Sequence, residues 1–221
     1  MGSNREAINV VWDTGSAVYL GETHLCSACA APTYNFSAEN GGSFNYLTGT
    51  FTETYGDGTQ LNGSWATDTV CVLDDPTTCA ADFKWVAITS STGTALSEDT
   101  DGIIGMMESY TEYANALYVP ELYAASIISE NVFSFLLTDD AGTTGTSYMD
   151  FGTPDVSVMT SESDIVWIDS TNVSGWWTNN ITGWRWSDDV SSEAGLTSLW
   201  GLTDTGSSCI HGPTDAINTW K

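Results

Sequence analysis

Two short segments carry the residues best suited to doing chemistry together. Asp13-Thr14-Gly15-Ser16 follows the apolar run Val10-Val11-Trp12, and Asp204-Thr205-Gly206-Ser207 follows Leu199-Trp200-Gly201-Leu202, 191 positions further on. One such tetrapeptide is ordinary turn chemistry. Two copies, each closing an apolar run, form an internal repeat that presents a carboxyl in two equivalent loops. Each residue type has a use there: glycine permits a tight turn and close backbone approach, threonine can hydrogen-bond across to the other copy, and serine can hydrogen-bond the carboxylate's outer oxygen. Two carboxyls held close together cannot both ionise cheaply, so the pair shares one proton. One member is then available as a general base and the other as a general acid.

The elements that must position these loops read as strands. Apolar or alternating runs recur at Ile8 to Trp12, Trp65 to Leu73, Phe83 to Ile88, Asn131 to Leu137 and Ile165 to Ile168, most of them bounded by Gly, Pro, Asn or Asp. Helical spacing is confined to Ser109 to Ile128, where Tyr110, Tyr113, Ala114, Leu117 and Tyr118 could share a face before Pro120 interrupts it. Thr138 to Thr146 is a polar turn opening towards a second unit. With 41% hydrophobic and 12% aromatic residues in 221, and polarity supplied largely by Ser, Thr, Asn and Gly, the composition suits an all-β class with a sizeable core.

Charge narrows the partners. Four Lys plus Arg against 29 Asp plus Glu give a formal charge of −25, which repels nucleic acid and anionic membranes alike. No stretch approaches the roughly 20 apolar residues of a membrane span, and Met1 to Glu6 lacks the apolar core of a signal peptide. Cys26 with Cys29, and Cys71 with Cys79, fit disulfides of an exported chain; Cys26-Ser27-Ala28-Cys29 has no second pair at metal spacing, and Cys209 is left over. No metal is expected. Sequons at Asn35, Asn62, Asn172 and Asn180 would accept glycans in the secretory route. Trp176, Trp177, Trp184 and Trp186 could line a sugar-binding platform, but alternating aromatics in a β chain more often pack a core.

The sequence resembles the pepsin-like eukaryotic aspartic endopeptidases at five motifs in the family's order, the second of the two loops among them. Glu53-Thr54-Tyr55-Gly56-Asp57-Gly58-Thr59 is similar to the family's flap hairpin, with Tyr55 as its tip tyrosine. Thr100-Asp101-Gly102-Ile103-Ile104-Gly105 resembles the strand that threads beside the first catalytic loop, and Asn131 to Leu137 with Met149-Asp150-Phe151-Gly152 resemble the strands connecting the lobes. Asp204 to Ser208, followed by Gly212-Pro213-Thr214, is similar to the second catalytic loop.

The resemblance implies a bilobal acid-protease fold, with a nearly complete first lobe over residues 1–154 and a partial second lobe over 155–221. It implies Asp13 and Asp204 as the catalytic pair with no cofactor, Thr14 and Thr205 as ties between the loops, Ser16 and Ser207 as partners of the outer oxygens, and Gly15 and Gly206 as the close-approach positions. Tyr55, Gly56, Asp57, Gly58 and Thr59 would close over an extended polypeptide with apolar side chains at the cut. Pepstatin-like compounds would inhibit, and the location would be secreted or lysosomal (vacuolar). A small disulfide loop near Cys26 is common in the family, though Cys26 and Cys29 are closer than expected, so pairing with Cys71 or Cys79 stays open.

The chain departs from the family pattern in three places. The family's first strand should precede Gly2-Ser3-Asn4, and most of a lobe should follow Asp204, so the chain is expected to be truncated at both ends. The apolar residues of its C-terminal piece should be partly exposed and its activity impaired. Leu20 stands where many relatives carry a tryptophan that contacts the flap tyrosine. A non-catalytic protein using the same cleft to bind peptides or inhibitors is the alternative, and the oligomeric state is open.

Overall fold

Alternating side chains, three long strands and a set of close glycines build the first part of the molecule. The computed structural model describes residues 1–29, 34, 42–72, 75–93, 96, 99–108, 115–138, 147–171, 173–184 and 194–218. Strands β1 (Val10–Asp13), β2 (Leu20–Glu22), β3 (Asn45–Thr54), β4 (Gln60–Cys71), β5 (Cys79–Thr92) and β6 (Gly102–Gly105) form one sheet in the order β1-β6-β2-β5-β4-β3. Successive strand residues face opposite sides. On β5, Phe83, Trp85 and Ala87 therefore join one buried cluster with Tyr19, Ile104, Tyr118 and Leu122, while Val86 and Ile88 join another with Val18, Leu20, Leu61 and Ile103. The sheet is covered on both faces around β5 and β6, which is why Trp85-Val86-Ala87-Ile88 and Ile103-Ile104 read as continuous apolar runs.

β6 threads between β1, to which it is parallel, and β2, to which it is antiparallel. The register puts Asp13 beside Gly105. A Cβ on Gly105 would stand 2.5 Å from the backbone of Ala17 and Val18, so only glycine lets this strand run so close to the loop after β1.

Helix α1 (Tyr118–Ala124) differs from the sequence expectation, because Pro120 lies inside its first turn and does not interrupt it. A proline there removes an N–H that would have no helical partner. Tyr110, Tyr113 and Ala114, expected to extend the helix, lie outside the described residues. Tyr118 packs against Trp12, Phe83 and Phe151 with ring centroids 5.9, 5.6 and 6.0 Å away, and Trp12 meets Phe151 at 5.7 Å. These rings join β1 and α1 to the antiparallel pair β7 (Phe133–Leu136) and β8 (Tyr148–Phe151). Most of the turn expected at Thr138 to Thr146 lies outside the described residues.

The C-terminal part contains the antiparallel pair β9 (Thr178–Trp184) and β10 (Ala194–Leu202) and a short helix α2 (Thr214–Asn218). The run Ile165 to Ile168 is not a strand. It pairs with no described strand, and Val166, Trp167 and Ile168 are 79%, 75% and 71% exposed. An apolar run becomes a strand only where a partner satisfies its backbone. Among the described residues, every fully buried large apolar side chain lies at or before Leu122. Disulfides join Cys26 to Cys29 and Cys71 to Cys79, closing the pairing left open above, and Cys209 is free and exposed. Of the four sequons, Asn35 and Asn172 lie outside the described residues. Asn62 is held in the sheet between Thr52 and Ser90, and Asn180 is exposed.

Candidate active site

The end of β1 delivers Asp13 into a loop fixed from several sides. Its carbonyl accepts from Met106 N at 2.8 Å and from Ser16 N at 3.2 Å; its carboxylate accepts from Gly15 N at 2.7 Å and from the Ser16 hydroxyl. Asp13 is only 6% exposed. The second loop follows β10, where Asp204 Oδ1 accepts from Gly206 N at 2.9 Å. The two loops are not equivalent in detail. Ser207 donates to the carbonyl of Cys209 at 3.0 Å where the repeat led us to expect a bond to its aspartate, and Asp204 is exposed.

The threonines interlock the loops reciprocally. Thr14 Oγ1 donates to Thr203 O at 2.8 Å and accepts from Thr205 N at 2.9 Å; Thr205 Oγ1 donates to Trp12 O at 2.6 Å and accepts from Thr14 N at 3.1 Å. The glycines repeat the symmetry. A Cβ on Gly15 would lie 2.5 Å from Asp204 Cγ, and one on Gly206 would lie 2.4 Å from Asp13 Oδ1. Each carboxyl thus rests against the other loop's glycine.

Burial raises Asp13 above the usual carboxylate range, and the Asp204 carboxyl adds to the rise through a hydrogen bond and its charge, against the opposing donors Ser16 and Gly15. Two carboxyls so placed can hold one proton between them and, together, take a proton from water and give one back. Among the described residues no group of three or more His, Cys, Asp or Glu side chains is placed to hold a metal ion.

The hairpin joining β3 to β4 reaches the loop that carries Asp13. Tyr55 N donates to Thr59 O and Gly58 N to Tyr55 O, both at 2.9 Å, while Asp57 accepts from Thr59 N at 2.8 Å and from its hydroxyl at 2.9 Å. Asp57 and Thr59 thereby fix the turn; Gly56 and Gly58 are exposed at its tip. The Tyr55 hydroxyl lies 3.5 Å from Ser16 Oγ, and burial pushes its pKa up. Leu20 is buried in β2 and packs in the core.

Sequence reasoning assigned no site role to Glu53, Met107 or Trp176, which line a cavity beside Ser16 and Tyr55. It read Trp177 as simple core, whereas Trp177 Nε1 donates to Met106 O at 2.6 Å and ties the C-terminal part to the strand beside Asp13. Glu108 repeats the link, donating its N–H to Gly175 O at 3.1 Å and accepting from Ser170 Oγ at 2.6 Å. Only the run of tryptophans hinted at these contacts. The Trp184 side chain and Trp186 lie outside the described residues.

A family model for eukaryotic aspartyl protease matches residues 1–221. The chain is 27% identical over 226 residues to a renin of Echis ocellatus, covering 99% of this chain and 54% of the relative. It is 28% identical over 222 residues to pepsin II-2/3 and over 223 residues to pepsin-3 of Oryctolagus cuniculus, with the same 99% and 54% coverage. The chain thus spans about half the length of the curated relatives it matches. No helix among the described residues is long and apolar enough to cross a membrane. By a match that runs along its whole length, and with an all-β fold, the chain belongs to the eukaryotic aspartyl protease family.

Proposed function

We propose that the protein is an aspartic-type endopeptidase that hydrolyses polypeptides at acid pH, with Asp13 and Asp204 as its catalytic pair. The observation that carries this is the reciprocal interlock of Thr14 and Thr205, which brings together carboxyls from loops 191 residues apart. The regions 1–154 and 155–221 each contribute one loop. With one proton on the pair, one carboxylate takes a proton from a bound water. The protonated partner polarises the scissile carbonyl and later helps protonate the leaving nitrogen. Tyr55, on its hairpin, closes over the extended substrate, and pepstatin-like compounds compete for the same cleft.

The pH dependence follows from the raised Asp13. The one-proton state of the pair persists to higher pH than two ordinary carboxyls would allow, and activity falls as pH rises through that value and the shared proton leaves. A chain of formal charge −25 also repels itself less once its carboxylates protonate, which suits an acidic secreted or lysosomal setting. Hydrolysis of a quenched apolar peptide, followed across acid to neutral pH with and without pepstatin, tests the proposal. Pepstatin-sensitive cleavage confined to acid pH is expected. Pepstatin binding without cleavage at any pH would leave the cleft as a peptide-binding surface only.

A further inference from the structure

Beside the aspartate pair, on the hairpin side, lies a cavity of about 360 Å³. It is lined by residues 15–17 of the first aspartate loop, residues 53–56 of the hairpin, Met107, Ser174 and Trp176. Met107, Trp176 and the Tyr55 ring suit an apolar stem. Glu53 does not. It sits near the end of β3, half-buried, and its carboxylate accepts one hydrogen bond, from Thr54 N at 3.2 Å. Burial raises its pKa. Neither described Lys or Arg lines this cavity: Lys84 lies over the Trp65 ring at 4.1 Å and Arg5 lines a separate cavity with Met1 and Trp12.

We propose that this cavity is a substrate subsite that selects a basic side chain, lysine or arginine, with its apolar stem against Met107 and Trp176 and its cation on Glu53. The inference rests on the peptidase reading of the neighbouring aspartates and names a feature of the substrate. A purely apolar side chain would finish desolvating the Glu53 carboxylate and give it no partner, which costs free energy. An acidic one would add a like charge. A lysine buries its methylenes and keeps its charge at the end of the stem, where Glu53 and the face of Trp176 both attract it.

The test uses uncleavable peptide analogues with a reduced bond in place of the scissile amide. Lysine replaces norleucine at one position at a time on either side of that bond. Affinities are measured by calorimetry with pepstatin competition, at a pH above the raised Glu53 value so that its carboxylate is charged, and the lysine-to-norleucine ratio is read within each protein. At one position lysine should bind about tenfold more tightly, the gain expected of a hydrogen bond between charged groups. Glu53→Gln should bring that ratio to about one, and Glu53→Lys should favour a glutamate peptide over norleucine at the same position. Equal binding of lysine and norleucine at every position, or a lysine preference that survives Glu53→Gln, overturns the inference while pepstatin-displaceable norleucine binding keeps the peptidase reading. If no analogue binds, both fall.

Discussion

Replacing Thr14 by valine keeps the volume and the branch at Cβ and removes one hydroxyl, so its effect reports the hydrogen bonds and little else. That hydroxyl makes two, to Thr203 O and from Thr205 N. At about 1 kcal/mol net for each, the variant should lose roughly 2 kcal/mol of stability. Thr205→Val breaks two different bonds, to Trp12 O and from Thr14 N, and should cost roughly the same. No bond is shared, yet all four hold the same two loops together. Once the first threonine is gone the loops part, and the second has less left to lose. The double variant should therefore fall short of the summed losses by about 1 kcal/mol. Displacing one carboxyl by about an ångström should also lower kcat/KM roughly a hundredfold in each single variant. Denaturant unfolding followed by tryptophan fluorescence supplies the stabilities, and peptide hydrolysis supplies the rates. Strict additivity of the stability losses, with unchanged kcat/KM, would refute the interlock as the device that assembles the site.

Gly206→Ala places a Cβ 2.4 Å from Asp13 Oδ1 and should cost about 1–3 kcal/mol along with most activity, whereas Gly42→Ala, with nothing within 4 Å, should stay within about 0.5 kcal/mol by the same unfolding assay. Asp13→Asn should stabilise the fold increasingly as pH rises. Below the ordinary carboxylate value both states are protonated and the substitution is neutral; above it the unfolded chain ionises freely while the native one resists, so the wild type loses stability until the raised native value is passed. A difference that is flat with pH, in melting curves taken from strongly acid to neutral buffer, would contradict the burial of Asp13. Reducing Cys71–Cys79, which spans a sequence separation of 8 residues, should cost about 2.5 kcal/mol, read from unfolding of the Cys71→Ser, Cys79→Ser protein.

Much of the architecture around the site was legible because it depends on patterns local in sequence. Asp13 at the end of Val10-Val11-Trp12, the Tyr55 to Thr59 turn and the Ile103-Ile104 strand each carry their own signature, and the structure places all three around one point. What depended on environment was not legible. Ile165 to Ile168 has the composition of a strand but pairs with no described strand, and Pro120 looks like a helix breaker unless its place in the first turn is known. Ser207 repeats Ser16 in sequence, yet it bonds the carbonyl of Cys209 and not its aspartate, a partner set by where the chain turns after the loop. Glu53 lies within the hairpin motif, but only the cavity it lines gives its charge a meaning.

The central claim, that Asp13 and Asp204 act as one unit, is tested most directly by comparing Asp13→Asn, Asp204→Asn and the double variant in the same acid peptide assay. The account predicts that each single substitution lowers kcat/KM by roughly a thousandfold or more and that the double is no worse than either, as expected for groups that work only together. A single variant that keeps substantial pepstatin-sensitive activity, or losses that multiply in the double, would contradict it.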